Sequence, residues 1–472
     1  TWLNCEIIFN SFVEPVDRVF GQFSFKHQDS RNNIVRAINR KLAAQDSVNV
    51  HFVDANYLAS YAGYENWHDQ RLYDMAKVPC GIGYWLDYAD AFRAVVRAIY
   101  GKTKKVLVLD LDNTIWGGVI GDDGVESIRI GETGNDGESF KRFQEYVKSL
   151  KDRGVVLAVA SKNTEEVARE VFLNKSEMVL KEEDISCFMA NWDPKHINIS
   201  KIAGTLNLGL DSFVFVDDNP AEREIVRKYL PQVQVIELPD DPAKYIEALD
   251  KSLAFDIVSI SDDDLKRAQR YSENSKRSTI QHSFSDYDDY LRGLEMSGTF
   301  SDFDKFNMKR IVQLVNKTNQ FNLTTKRYTE TEVEAMVNSS SHICRTVHLK
   351  DKFGDNGLIA VITGEVRSET LYIETWLMSC RVLKRGVEAF TLMDFLKDAM
   401  VMGAKRAIGT YIPTKRNSMV SSLFSDFSFV EISADNGTKQ FELNLDKLTV
   451  YTGVGPFKHY IEHVSNSNYQ EQ

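Results

Sequence analysis

Between residues 102 and 250 the chain alternates apolar runs with helical stretches, and this rhythm constrains the fold more than any other feature. The runs are KKVLVLDLD, GVVLAVASK, DSFVFVDDN and QVQVIEL, and the helical stretches are Glu138–Arg153, Thr164–Phe172, Pro194–Leu206 and Ala221–Tyr229. Continuous β-branched runs separated by amphipathic helices are what a parallel sheet covered on both faces requires. The segment is therefore expected to be a doubly wound α/β domain, with ligands at the carboxyl ends of its strands.

Four chemical signals fall at those strand ends. Asp110-Leu-Asp112-Asn-Thr114 closes the first strand, Ser161 closes the second, Lys195 begins the helix after Asn191-Trp-Asp-Pro, and Asp217-Asp218 closes Phe213–Val216. Taken singly each has a bland reading, as an acidic loop, a solvated lysine or a helix N-cap. In order, each after its own strand, they converge on one rim.

An aspartate can attack phosphorus, and a second carboxyl two residues along an extended segment faces the same side, placed to protonate a leaving alkoxide and later deprotonate water. Asp110 is accordingly the expected nucleophile and Asp112 the acid/base. Massed carboxylates repel a phosphate unless a hard cation intervenes, so Asp217 and Asp218 with Asp110, and Asp112 beside them, are the candidate Mg²⁺ ligands. Ser161 would donate to a phosphoryl oxygen, and Lys195 would neutralise nucleophile and phosphate together.

These motifs resemble those of the haloacid dehalogenase (HAD) superfamily, and VLDLDNTIWGGVIGDDG, VASKN, NWDPK and FVDDNPAERE are similar to its FkbH-type branch, subfamily IIIC. The resemblance implies a Rossmann-like core, Mg²⁺ as cofactor, and site roles for Asp110, Asp112, Thr114, Ser161, Lys195, Asp217 and Asp218. From Trp116 to Glu138 there is room for a Gly-rich hairpin flap but not for an inserted cap domain, and the 34 positions from Ser161 to Lys195 are filled by a helix and a strand. The site should be capless and open, shielded from water by the flap, another domain or a macromolecular substrate. Trp116 on the flap reads equally as a substrate-facing aromatic and as a core residue.

The rest of the chain divides into three expected parts. Residues 1–100 (CEIIFNSF, VNVHFVD, YENWHDQRLYDMAKVP and the amphipathic run Tyr88–Tyr100) read as a packed α/β unit. NWHDQRLYDMAKVP resembles the rear of the SGNH-like domain that precedes the HAD domain in FkbH-type proteins. No Gly-Asp-Ser nucleophile segment is present, so a truncated front and no hydrolase activity are expected there. Residues 101–250 are the HAD-like core, 251–300 a polar helical connector, and 301–472 an α+β domain with a helix at Met308–Asn316, strands near His342–Leu349, Gly357–Thr363 and Thr370–Ser379, and a helix from Gly386.

In that last domain LYIETWLMSCRVLKRGVEAFTLMDFLKDAM reads as strand, basic turn and helix. It resembles the coenzyme A loop of GNAT-type acyltransferases, [RQ]-x-x-G-x-[GA], with Arg381, Lys384, Arg385 and Gly386 as cofactor-binding candidates. Lys384 stands where the first glycine belongs, which weakens ordinary coenzyme A binding and leaves a carrier-borne phosphopantetheine arm as an alternative guest. FkbH-type proteins are associated with taking a glyceryl unit from 1,3-bisphosphoglycerate, removing its second phosphate and delivering the acyl group to an acyl carrier protein. A thiolate beside basic residues suits acyl capture, so Cys380 is the expected acyl carrier and His348 its base, with Asp355 or Asn356 as orienter. His459-Tyr-Ile-Glu-His463 reads as a solvated helix face.

Composition narrows the alternatives. With Lys+Arg 57 against Asp+Glu 68 the formal charge is −11, which argues against nucleic acid or anionic lipid as the main partner. The five cysteines form no C-x-x-C pair, and no apolar run reaches membrane-spanning length, so a cytoplasmic protein is expected. Two rivals to the glyceryltransferase/phosphatase remain. One is a phosphatase of a small phosphorylated metabolite whose C-terminal domain is only a cap or binding module; the other, against which the intact motifs speak, is a silent scaffold.

Overall fold

The computed structural model describes residues 5–464 except 46, 48, 133, 282–285, 305–306, 319–320, 380–381, 436 and 447–454. It separates into two compact units, residues 1–103 with 253–259, and residues 104–252 with 260–472.

In the first unit two short parallel strands, β1 (Ile7–Asn10) and β2 (Val50–Val53), pair in register. A small core gathers around Ala59, Trp67 and Cys80.

The second unit holds two sheets. The first is all parallel, built from β3 (Val106–Leu109), β4 (Val156–Ser161), β5 (Ile185–Ala190), β6 (Phe213–Val216) and β7 (Gln234–Val235) in the order β5-β4-β3-β6-β7. Every residue of β3, β4 and β6 is buried, as the continuous apolar runs require. The pleat sends Val106 and Val108 into a core with Ile199, Ile202 and Val226 from the helices Lys195–Leu206 and Pro220–Tyr229. The helix Gly137–Asp152 contributes buried Phe140, Phe143 and Val147. The doubly wound α/β fold expected from the sequence is present, and its helices begin and end within one or two residues of the expected limits. Strand order reverses between β3 and β6, so the crevice at their carboxyl ends is the place for a ligand.

The second sheet is mixed and eight-stranded. It comprises β8 (Met296–Asp302), β9 (His342–Asp351), β10 (Gly354–Arg367), β11 (Thr370–Met378), β12 (Arg406–Tyr411), β13 (Val430–Asp435), β14 (Thr438–Asn444) and β15 (Ile461–His463), in the order β13-β14-β12-β11-β10-β9-β8-β15. The helix Val387–Val401 crosses from β11 to the parallel strand β12 and packs on β9 and β10. This is the expected α+β domain. Two readings need correction: β8 begins inside the stretch read as purely helical connector, and His459-Tyr-Ile-Glu-His463 is a strand edge, with β15 pairing parallel to β8. Pairing across more than 160 positions of sequence cannot be read from a local helical spacing.

Between the sheets runs the helix Arg267–Gln281, packed against β4, β5 and the helix Lys195–Leu206 on one side and against β10 on the other. Tyr271 enters the core of the parallel sheet, while Arg277 donates to Asp351 Oδ1 at 2.7 Å and to Asn274 Oδ1 at 3.0 Å. No helix among the described residues is long and apolar enough to cross a membrane.

Candidate active site

Asp110 lies one residue beyond β3, its backbone N–H donating to Val216 O at 3.0 Å, so the hydrogen-bond ladder itself brings the first carboxylate beside the acidic pair that follows β6. Asp110 and Asp217 are buried, with 6% and 0% of their surface exposed. Lys195, the first residue of its helix and equally buried, places Nζ 2.9 Å from Asp110 Oδ2 and donates to Asp217 Oδ2 at 2.5 Å. Asp110 Oδ1 is buried and has no hydrogen-bond partner among the described residues.

One carboxylate oxygen from each of Asp110, Asp217 and Asp218 lies within 4.8 Å of the others. At an effective dielectric of 20, two unit charges that far apart repel by roughly 3–4 kcal/mol, and one ammonium cannot neutralise three carboxylates. The electrostatics record the conflict. Burial, reinforced by the charge of Asp110 and opposed by Lys195, pushes Asp217 up to about 7 and Asp218 up to about 6. Burial works against the Lys195 ammonium, yet Asp110 and Asp217 prevail and hold it above the usual lysine range. An all-oxygen cluster with a buried unpaired oxygen and surplus negative charge fits a hard divalent cation such as Mg²⁺.

Asp112 plays a different part. Its Oδ1 accepts from Trp116 Nε1 at 2.8 Å and from the Ile120 N–H at 3.1 Å, and its Oδ2 accepts from Asn163 Nδ2 at 3.0 Å. With both oxygens engaged, its carboxylate stands outside the cation cluster, contrary to the expectation that placed it among the metal ligands. Burial raises its pKa, against the pull of the Asn163, Ile120 and Trp116 hydrogen bonds, which favours a protonated, proton-donating form.

Other residues set these groups. Thr114, fully buried, accepts through Oγ1 from the Asp218 N–H at 3.2 Å, so it positions the acidic turn. Arg223 donates from one guanidinium nitrogen to both Asp217 O and Asp218 O at 2.7 Å, clamping the same turn from the helix behind it. Ser161 is buried at the end of β4, and Asn163 Nδ2 donates to its Oγ at 3.1 Å as well as to Asp112. Sequence reasoning missed Asn163 and Arg223. Asn163 stands in the quoted VASKN and Arg223 in FVDDNPAERE, but their roles depend on contacts that only the closed fold makes. The resulting cleft, about 190 Å³, is lined by Asp110, Asp112, Ser161, Lys162, Lys195 and Asp218 among others. Lys162 pairs with Glu222 at 2.5 Å on its rim.

The connection after Thr114 is not a hairpin. One antiparallel bridge, Gly117 with Arg129, closes a loop whose short helix Ile120–Ser127 is broken at Gly124 (φ 77°), and Asp123 Oδ2 caps the Val119 N–H at 2.8 Å. Glycines and a capping carboxylate favour turns over a ladder. Trp116 is fully buried, with Phe172 edge-on at 6.0 Å, so of its two readings the core one holds.

In the C-terminal domain Cys380 and Arg381 lie outside the described residues. His348 on β9 pairs through Nε2 with Asp355 Oδ1 at 3.1 Å, Asp355 being one of the two orienters, with Asn356, that the sequence offers. Gly386 adopts φ 81° ahead of the helix Val387–Val401, a conformation glycine takes without strain. Lys384 is exposed, but its N–H donates to Glu388 Oε1 at 2.8 Å, so a carboxylate already occupies that helix start. Arg385 turns inward, 8% exposed, donating to Asn274 Oδ1 at 2.7 Å and standing 3.6 Å from Asp351 Oδ2. This placement runs against the expectation that it binds cofactor: its guanidinium is drawn inward to Asn274 and the buried carboxylate Asp351.

No protein-family model and no curated protein matches the chain. Among solved structures it is similar to the N-terminal part of the protein BF1531 from Bacteroides fragilis, which contains a phosphatase domain complexed with Mg. The identity is 40% and the TM-score 0.52, over 54% of this chain and 68% of that one. Far weaker is the likeness to the ribosomal-protein-S18-alanine N-acetyltransferase of Escherichia coli, at 10% identity and TM-score 0.25 over 31% of this chain and 93% of that one. Spermidine N-acetyltransferase from Vibrio cholerae, in complex with CoA and spermine, gives 12% identity and TM-score 0.25 over 32% and 98%.

Proposed function

Because this chain belongs to the family of the Bacteroides fragilis phosphatase-domain protein, we propose that it is a Mg²⁺-dependent phosphatase that works through an aspartyl-phosphate on Asp110. The observation that carries the proposal is the state of that carboxylate: Oδ2 is held by Lys195, while the buried Oδ1 has no hydrogen-bond partner among the described residues. Asp110, Asp217 and Asp218 would hold the Mg²⁺, which when bound supplies positive charge against the carboxylates and the phosphoryl oxygens.

Asp110 attacks phosphorus, forming the Oδ–P bond as the bond to the substrate oxygen breaks, and protonated Asp112 delivers its proton to the departing oxygen. Asp112, now a carboxylate, takes a proton from a water that attacks the same phosphorus, releasing inorganic phosphate and regenerating Asp110. Ser161 donates to a phosphoryl oxygen, Lys195 offsets charge on both partners, and Asn163 keeps Asp112 and Ser161 facing one another. The cleft of about 190 Å³ suits a small phosphorylated head.

The finer reading, a glyceryl group from 1,3-bisphosphoglycerate passed by way of Cys380 to an acyl carrier protein, draws support from the motif resemblance and from the His348–Asp355 pair. The second reading, a C-terminal domain that covers or binds without acyl chemistry, is favoured by the inward Arg385 and by Glu388 at the helix start. Incubation with labelled 1,3-bisphosphoglycerate, followed by intact-mass spectrometry, decides between them. A glyceryl adduct lost in Cys380→Ala supports transfer, and phosphate release with no adduct supports the second reading. The phosphatase proposal fails if Asp110→Asn retains turnover of phosphomonoesters.

A further inference from the structure

Far along the chain from the phosphatase motifs, three adjacent strands of the mixed sheet bring together His342 from β9, Glu365 from β10 and Glu374 from β11. One ligand atom from each lies within 4.8 Å of the others. We propose that this cluster is a second metal site, taking a first-row divalent transition ion such as Zn²⁺, with His342 Nε2 and one oxygen of each glutamate as its protein ligands.

Three features argue for it. His342 and Glu365 are directly opposed across β9 and β10, and an irregularity in the pairing of β10 with β11 at Thr363/Gly364 makes Glu374 the extra residue between Ile373 and Thr375. Such a bulge re-aims a side chain, here towards the other two. The side chains are mostly buried, with 17%, 16% and 19% of their surface exposed, so their ligand atoms are held by the surrounding sheet.

The second feature is separation. His342 Nε2 stands 3.6 Å from Glu374 Oε2 and 4.0 Å from Glu365 Oε2, beyond hydrogen-bond length to both. Metal bonds of about 2.0–2.2 Å in a tetrahedral arrangement set neighbouring ligand atoms about 3.4 Å apart, so a small inward movement of each side chain completes the geometry. The third is orientation. His342 Nδ1 lies 3.0 Å from Ser339 Oγ, a hydroxyl that can accept a hydrogen bond from Nδ1–H, the tautomer that leaves Nε2 with a lone pair facing the glutamates. Imidazole with carboxylate suits Zn²⁺, Mn²⁺ or Fe²⁺ rather than Mg²⁺, which separates this site chemically from the all-carboxylate cluster at Asp110.

Two cations compete for the same glutamates. Arg367 pairs with Glu365 Oε2, and Lys326 Nζ stands 4.0 Å from Glu374 Oε1. Arg367 is 62% exposed and Lys326 48%, so both can swing into solvent when an ion enters. The ion would pin three strands at one point of the sheet and needs no part in turnover.

The experiment is calorimetric titration of Zn²⁺ into the full chain at saturating Mg²⁺, beside His342→Ala and Glu374→Gln. The wild type should bind one equivalent more than either variant, its thermal midpoint should rise with Zn²⁺ where theirs does not, and all three should hydrolyse a phosphomonoester equally with Mg²⁺. Equal Zn²⁺ stoichiometry in the wild type and either folded variant overturns the proposal, as does a wild type that takes up no Zn²⁺. If His342→Ala does not fold, Glu374→Gln carries the comparison, and a loss of phosphatase turnover there counts against the proposed separation of the two sites.

Discussion

Asp110 and Asp112 are two residues apart and chemically alike, yet their surroundings give them opposite work. Asp110→Asn removes the nucleophile, and turnover of p-nitrophenyl phosphate should fall by on the order of 10³-fold or more. Asp112→Asn keeps the nucleophile and should cost about 10²–10⁴-fold, the usual worth of a general acid/base. The acidic turn makes a pH prediction. Burial and the charge of Asp110 push Asp217 up to about 7 and Asp218 up to about 6, above the ordinary aspartate value of 3.8, so the metal-free native state holds protons that the unfolded chain has lost. Stability without Mg²⁺ should therefore be greatest below about pH 4 as far as these two groups contribute, and decline as pH rises through about 6 and 7. Apparent Mg²⁺ affinity should rise across the same window and level off above it, because the ion must displace those protons. Thermal melts from pH 5 to pH 8 with and without Mg²⁺ check both signs. At this scale the motif residues were legible because each sits at the end of an unmistakable strand. Asn163 and Arg223 were not: the Asn163 acceptor Asp112 comes from a neighbouring strand end, and the Arg223 acceptors are backbone carbonyls that no side-chain pattern marks. Arg385 misled because a basic residue in a glycine turn has the same spelling whether it faces solvent or a buried Asp351.

Gly154 shows how elements fix one another. It turns the chain from the helix Gly137–Asp152 into β4 at φ +99°, and a Cβ there would stand 1.8 Å from Asp264 O. Gly154→Ala combines left-handed strain with a backbone collision and should destabilise by about 2–5 kcal/mol, read from denaturant midpoints. The helix Arg267–Gln281 offers a second test. Arg277, 1% exposed, pairs with Asp351, and Arg277→Met leaves that buried carboxylate its hydrogen bonds from the Phe353 N–H and Asn356 Nδ2 but only a more distant cation, Arg385 at 3.6 Å. A loss of about 3 kcal/mol is expected, partly recovered when Asp351→Asn is added. Helices with clean amphipathic spacing are legible to within a residue or two, and continuous β-branched runs mark where strands lie while overrunning their ends by up to three residues. The loop after Thr114 and β15 are not legible, because capping geometry decides the first and a partner strand from far along the chain decides the second.

Across the whole molecule the parallel and mixed sheets belong to one compact unit, joined through a helix that packs against both. Trp116 is buried and donates to Asp112, and Trp376 lies in the core of the mixed sheet, which gives each half its own reporter. Variants retaining only one of these tryptophans should show coincident denaturation midpoints, and Mg²⁺ should raise both together; separate transitions would show that the halves unfold independently. The helical text between residues 251 and 300 announced a connector. That it is a shared wall follows from Tyr271 entering one core while Arg277 meets a carboxylate of the other domain. This double duty restricts what length changes the wall can accept. An inserted or deleted residue between Tyr271 and Arg277 would rotate one contact face against the other by about 100°, turning either the tyrosine or the arginine away from its partner. The spacing of those two residues is thus a gauge, set by two domains at once and adjustable by neither alone.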